Sequence, residues 1–122
     1  MGRTRNQGSN WCRKSKRLAI YLRDGHRCAY CGRHSDELKG ALTLDHVLAC
    51  ELGGTNAASN LVACCGRCNS RKGALSVRSW FATLRSEGCE TQRIGRRVRR
   101  QTRKDLAPWL AMARLSIRSG RR

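Results

Sequence analysis

Apolar residues in this 122-residue chain come in short runs, and the spacing changes from run to run. Leu18, Tyr21 and Leu22 share one face at helical spacing. This predicts a helix over Ser15–Asp24, capped by Ser15 and ended by Gly25. Leu42, Leu44 and His46 alternate with Thr43, Asp45 and Val47, the period of a strand. Asn60–Cys64 reads as a second short strand. The intervening stretch, Ala49–Ser59, is rich in small residues and carries Gly53-Gly54, so it reads as an extended loop. Cys28–Gly32 makes a tight turn, and His34–Gly40 a polar loop. A short helix starts near Gly66, fades after Lys72 and stops at Gly73. Val77, Trp80, Phe81 and Leu84 fall at i, i+3, i+4 and i+7, which predicts a helix over Ser76–Ser86. Thr91–Lys104 also has helical spacing but is mostly arginine. Asp105 can cap a last helix with Leu106, Leu110, Ala113 and Ile117 on one face and Pro108 in its first turn. Two strands among helices predict an α+β fold.

Composition adds constraints on size. Apart from three Trp, two Tyr and one Phe the chain has little bulk for a core, so a metal staple would contribute much to stability. With no repeat and no long linker, one domain is expected: a basic disordered arm over 1–14, a core over 15–75, and a basic helical extension over 76–122. No apolar run approaches the ~20 residues that span a bilayer. No apolar segment follows the basic N-terminus, so a cytosolic rather than a secreted protein is expected.

Charge changes the picture further. The net charge is +18, unevenly placed. Residues 1–27 hold eight Lys and Arg against one acid, net +7. Residues 28–70 hold three against four, net −1, and residues 71–122 hold fifteen against three, net +12. A nearly neutral centre between basic flanks points to a nucleic-acid partner. Arg96, Arg97, Arg99, Arg100, Arg103 and Lys104 recur at three- and four-residue spacing. On a helix they would cover one broad side and repel one another, so a phosphate backbone is their natural neighbour. Arg71 and Lys72 stand nearer the neutral centre and are candidates for phosphate contacts beside it.

The eight cysteines include two Cys-x-x-Cys pairs, Cys28/Cys31 and Cys65/Cys68. Two such pairs with 33 residues between them have the spacing of a structural zinc site. Cys12, Cys50, Cys64 and Cys89 read instead as buried cysteines packing as small hydrophobes. Between and after the knuckles lie Asp45-His46, Asn60 and Asn69. Neighbours on a strand point to opposite faces, so Asp45 and His46 can approach one site from different sides. The Asn69 amide oxygen, fixed just beyond the second knuckle, is a hard donor suited to magnesium or manganese. His26 and His34 read as loop or surface histidines. Trp80 and Trp109 read as core, whereas Trp11 could stack on a base.

From Cys28 to Gly73 the chain resembles the HNH endonucleases. The matching residues are Cys28-x-x-Cys31, Leu44-Asp45-His46-Val47, Gly53-Gly54, Asn60-Leu61-Val62, Cys65-x-x-Cys68-Asn69 and Lys72, with Leu22 to Cys28 leading in. The resemblance implies a zinc-stapled ββα-metal core with flanking helices. It makes His46 the general base, Asp45 and Asn69 the ligands of a divalent magnesium or manganese, and Asn60 the residue that holds the loop and orients the histidine. It implies DNA, in double-stranded form, as substrate, and a cytoplasmic setting in a bacterial or phage-infected cell. Two departures stand out: Ala49 where the family often has Pro, and Cys64 where it usually has an aliphatic residue.

The chemistry is consistent with those roles. Phosphodiester hydrolysis is among the slowest reactions enzymes accelerate. A general base supplies ~10²–10⁴-fold. The remainder calls for charge stabilisation of the kind a divalent ion gives. The rival reading is a non-catalytic zinc-knuckle nucleic-acid-binding protein. Such a binder has no need for Asp45, His46, Asn60 and Asn69 together. A thiol redox protein is a poorer reading, because Cys-x-x-Cys chemistry expects a βαβ context.

Overall fold

The computed structural model describes residues 11–120. Its centre is a two-stranded antiparallel hairpin of β1 (Thr43–His46) and β2 (Leu61–Cys64). Thr43 stands opposite Cys64 and His46 opposite Leu61. β2 and three of the four residues of β1 are buried, so the hairpin is covered on both faces. Facing residues of an antiparallel pair point the same way, and successive residues alternate. Thr43, Asp45, Val62 and Cys64 therefore share one face; Leu44, His46, Leu61 and Ala63 share the other.

Each face has its own apolar cluster. Val62 and Cys64 pack with Cys28, Tyr30, Trp80, Leu84, Ile94 and Val98. Leu44 and Leu61 pack with Cys12 and Ile20, flanked by Trp11, Tyr21 and Leu106. The first cluster includes the cysteine knuckles. It is covered by α3 (Val77–Ser86) and α4 (Thr91–Arg103). The second lies under α1 (Lys14–Arg23), against which α5 (Ala107–Arg118) packs. α2 (Gly66–Lys72) follows β2 directly and completes a ββα unit. The fold is α+β, as the pattern predicted.

The local rules account for the boundaries. Ser76 Oγ accepts the Ser79 amide at 3.1 Å and starts α3. Asp105 Oδ1 accepts the Ala107 amide at 3.1 Å ahead of α5, with proline in its first turn. Trp80 is fully buried, and its loss to Ala would cost ~3–5 kcal/mol.

The start of α1 departs from expectation. Arg13 precedes the helix without a side-chain cap and Ser15 lies within it. Of the expected arm, residues 1–10 lie outside the described residues, but Trp11 and Cys12 belong to the second cluster. Their apolar contacts fix the chain two residues before α1 and set where it begins. Cys50, expected in the interior, is exposed.

One feature of α1 escaped any hydrophobic pattern. Arg23 and Asp24 are buried, with Nε to Oδ1 at 2.6 Å. Arg23 also donates to the carbonyls of Ala58 and Leu61, at 3.0 and 2.6 Å. Asp24 Oδ2 accepts the Ala63 amide at 2.8 Å. The pair thus satisfies the free edge of β2, where an unpaired backbone group would be costly.

Candidate active site

The four expected sulfurs converge. Cys28, Cys31, Cys65 and Cys68 have Sγ atoms all within 4.8 Å of one another, and Cys31 to Cys65 is 3.9 Å. A tetrahedral zinc with bonds of ~2.3 Å places its sulfurs about 3.8 Å apart, so the set fits zinc. Each knuckle turns an amide onto its first sulfur: Cys31 N to Cys28 Sγ at 3.5 Å, Cys68 N to Cys65 Sγ at 3.4 Å. The thiol acidities are in conflict. Cys28 is driven far below the ordinary thiol range by hydrogen bonds from Cys64 and Cys68. Cys68 is driven far above it, chiefly by its bond to Cys28, and burial pushes Cys31 up to about 11. Four crowded sulfurs cannot all be anionic alone. A divalent cation at their centre removes the conflict.

Beyond the second knuckle, α2 carries Asn69 toward β1. Asp45, His46 and Asn69 line one cavity of about 280 Å³, with Ala49, Cys50, Glu51 and Gly73 among its walls. Three of the four expected catalytic residues are therefore together. Asn60 has a different job. Its Oδ1 accepts the Leu48 amide at 2.9 Å, and its Nδ2 donates to the carbonyls of Leu48 and Thr55, at 3.0 and 2.8 Å. It clamps both ends of the loop between the strands. Gly54 lies inside that clamp. A Cβ there would come within 1.7 Å of the Leu48 carbonyl oxygen, so only glycine fits.

The bond to His46 comes from a residue the sequence reading missed. Asn56 Oδ1 lies 2.7 Å from His46 Nε2. Asn56 is the neighbour of Thr55, which Asn60 holds, and Lys16 of α1 donates to its carbonyl. Trp11 covers the imidazole at 4.8 Å with the planes 33° apart, and Arg17 lies over the indole at 5.6 Å. His46 is thus held on the α1 face of the hairpin. No motif spacing marks Asn56 or Trp11; a loop asparagine and an N-terminal tryptophan carry no local signal.

Asp45 points to the other face. It is 4 % exposed, and its Oδ2 accepts the Tyr30 hydroxyl at 2.6 Å. Lys72 Nζ is 3.3 Å from the same oxygen and donates to the His46 carbonyl at 2.9 Å. Burial raises the Asp45 pKa, and the Lys72 ammonium opposes that rise. Lys72 was expected to touch DNA. It is 1 % exposed and cannot, because a buried carboxylate has drawn its charge inward.

The basic residues divide similarly. Arg71 pairs with Glu87 and lies 5.5 Å over the Trp80 ring. Arg97, also expected on the DNA side, donates to the Ala29 carbonyl at 2.9 Å and covers Gly32, because it follows Ile94 on the inward side of α4. Arg96, Arg99, Arg100, Arg103 and Lys104 are exposed and surround one concavity of about 490 Å³.

Residues 28–79 match the HNH endonuclease family model. The likeness is to this segment, which is under half of the 122-residue chain. It takes in both knuckles, the ββα unit, the cavity and the start of α3. No curated protein and no solved structure matches the chain. The arginine face of α4 and the whole of α5 lie beyond the HNH segment. Among the described residues, no helix is long and apolar enough to cross a membrane.

Proposed function

We propose that this protein is a metal-dependent endonuclease that hydrolyses DNA phosphodiester bonds through its HNH segment. The observation that supports the reading is that Asp45, His46 and Asn69 all line one cavity. Cation-holding and proton-accepting groups meet there, an arrangement a simple binding module would not need.

His46 is the general base. With Asn56 Oδ1 accepting from Nε2, the ring carries its proton there and leaves Nδ1 as the acceptor. Nδ1 takes a proton from water as the water oxygen attacks phosphorus and the bond to the leaving oxygen breaks. Asn56 fixes the tautomer, and Trp11 limits the ring's rotation. Asp45 and Asn69 supply hard oxygen donors that fit magnesium or manganese. When bound, such an ion supplies charge neutralisation at the phosphate and the leaving oxygen. Asn60 holds the loop that presents Asn56.

DNA is held outside the cavity. Arg96, Arg99, Arg100, Arg103 and Lys104 make an outward cationic face suited to a duplex backbone. The test is incubation of the zinc-loaded protein with supercoiled plasmid, with and without magnesium or manganese. Divalent-dependent relaxed or linear product is expected. An intact plasmid under all conditions, with DNA still bound, would favour a zinc-stapled binding protein.

A further inference from the structure

Tyr30 lies inside the first knuckle, between Cys28 and Cys31, and is 4 % exposed. Its ring meets Trp80 edge-on at 5.7 Å and 90°. On the same face of the hairpin, its hydroxyl donates to Asp45 Oδ2 at 2.6 Å. Lys72 reaches the same oxygen from the last turn of α2, the helix that the second knuckle opens. Each cysteine knuckle therefore sends one buried polar group onto a single carboxylate oxygen. Among the described residues, Asp45 Oδ1 accepts no hydrogen bond.

We propose that Tyr30 and Lys72 are positioning residues that couple the four-cysteine site to the divalent-binding carboxylate, by fixing Asp45 Oδ2 and leaving Oδ1 for the ion. This rests on the functional reading above. The physical reason is orientation. A short carboxylate on a strand can rotate about its side-chain bonds, and two bonds to one oxygen hold the other in place. Tyr30 adds no charge, and Lys72 offsets the cost of keeping Asp45 ionised in the interior. Partners of this kind around ligating carboxylates typically change metal affinity by ~10–100-fold. The arrangement makes the staple more than a fold anchor, because loosening the first knuckle moves the hydroxyl that holds the catalytic ligand.

Tyr30→Phe removes one oxygen and keeps the ring against Trp80. The measurements are zinc content, thermal melting, manganese binding to the DNA-free protein by electron paramagnetic resonance, and plasmid nicking against magnesium concentration. The expected result is full zinc content and ~10–100-fold weaker manganese binding. The magnesium requirement should rise in parallel, with turnover at saturating magnesium reduced far less. Lys72→Met provides a second variant should Tyr30→Phe lose zinc, and it should weaken manganese binding in the same direction. Wild-type manganese affinity in zinc-loaded variants at either position would overturn the coupling. A wild-type protein that binds manganese yet never cuts DNA would instead sink the nuclease reading, while the manganese titration still judges the coupling.

Discussion

His46 Nε2 lies 2.7 Å from Asn56 Oδ1, so the imidazole proposed as the base is held from the loop between the strands as well as by the strand that carries it. Three outcomes follow for cleavage. His46→Ala should abolish nicking while DNA binding persists, since the base acts on water. Asn56→Ala should lower nicking by roughly 10–100-fold, because the tautomer and ring angle are no longer held. Asn56→Asp should move the acid limb of the pH–rate profile upward. A carboxylate beside the ring favours imidazolium, so the neutral base is reached only at higher pH. A pH profile that does not move in Asn56→Asp would show that this bond does not form in the working enzyme.

The four-cysteine site should carry one zinc per chain, and its removal should unfold the HNH segment. The segment's regular structure is chiefly a hairpin of two four-residue strands and a seven-residue helix, so ligand binding is folding energy. Cys68→Ser should lose zinc and cooperative melting. Cys89→Ser should melt close to wild type, because Cys89 sits at the edge of the apolar cluster and outside the sulfur set. Metal analysis and circular dichroism after chelation check both, and a chelated protein that keeps its fold would remove the staple.

Much of this site was legible in the sequence, and the failures have a common physical cause. Spacing alone placed the four sulfurs, β1, β2 and α2, because zinc knuckles and alternation are local signals. Arg23, Lys72 and Arg97 were misplaced or overlooked, because a charged residue is buried only when a distant partner draws it in. Arg23 is held by carbonyls 35 and 38 residues away, and Arg97 by one 68 residues away. Arg97 did leave a clue: Ile94 and Val98, one turn apart, define the inward face of α4, and Arg97 borders it. Asn60 was expected to hold the loop and orient the histidine; its side chain bonds loop backbone, and the side chain beside His46 is that of Asn56.

Gly54→Ala should disable the nuclease without touching a catalytic atom. The added methyl would overlap the Leu48 carbonyl and crowd Asn60 Nδ2 at 2.9 Å. Relieving that overlap pulls apart the clamp that holds Thr55 and, next to it, Asn56. The stability cost should be of order 1–3 kcal/mol, typical of a forced steric misfit. Nicking should fall by more than the melting change explains, while zinc content holds. Full activity in a folded Gly54→Ala protein would show that the loop repacks without its glycine.

The outward arginines should set affinity and leave chemistry alone. Arg96, Arg99, Arg100 and Arg103 are exposed at i, i+3, i+4 and i+7 of α4, around the same concavity. None lines the cavity that holds Asp45, His46 and Asn69. If they hold phosphates, each contact contributes ~0.9 to the slope of log affinity against log salt. Changing all four to Gln should flatten that slope and raise the substrate concentration needed for half-maximal rate. Turnover of bound plasmid should stay near wild type. Arg97→Gln is the built-in contrast. It removes a bond to the Ala29 carbonyl beside Cys28, so it should lower melting temperature and leave the salt slope nearly as it was. An unchanged slope in the fourfold variant would show that α4 does not face DNA. A flattened slope in Arg97→Gln alone would show that the inward arginine turns out to meet the duplex.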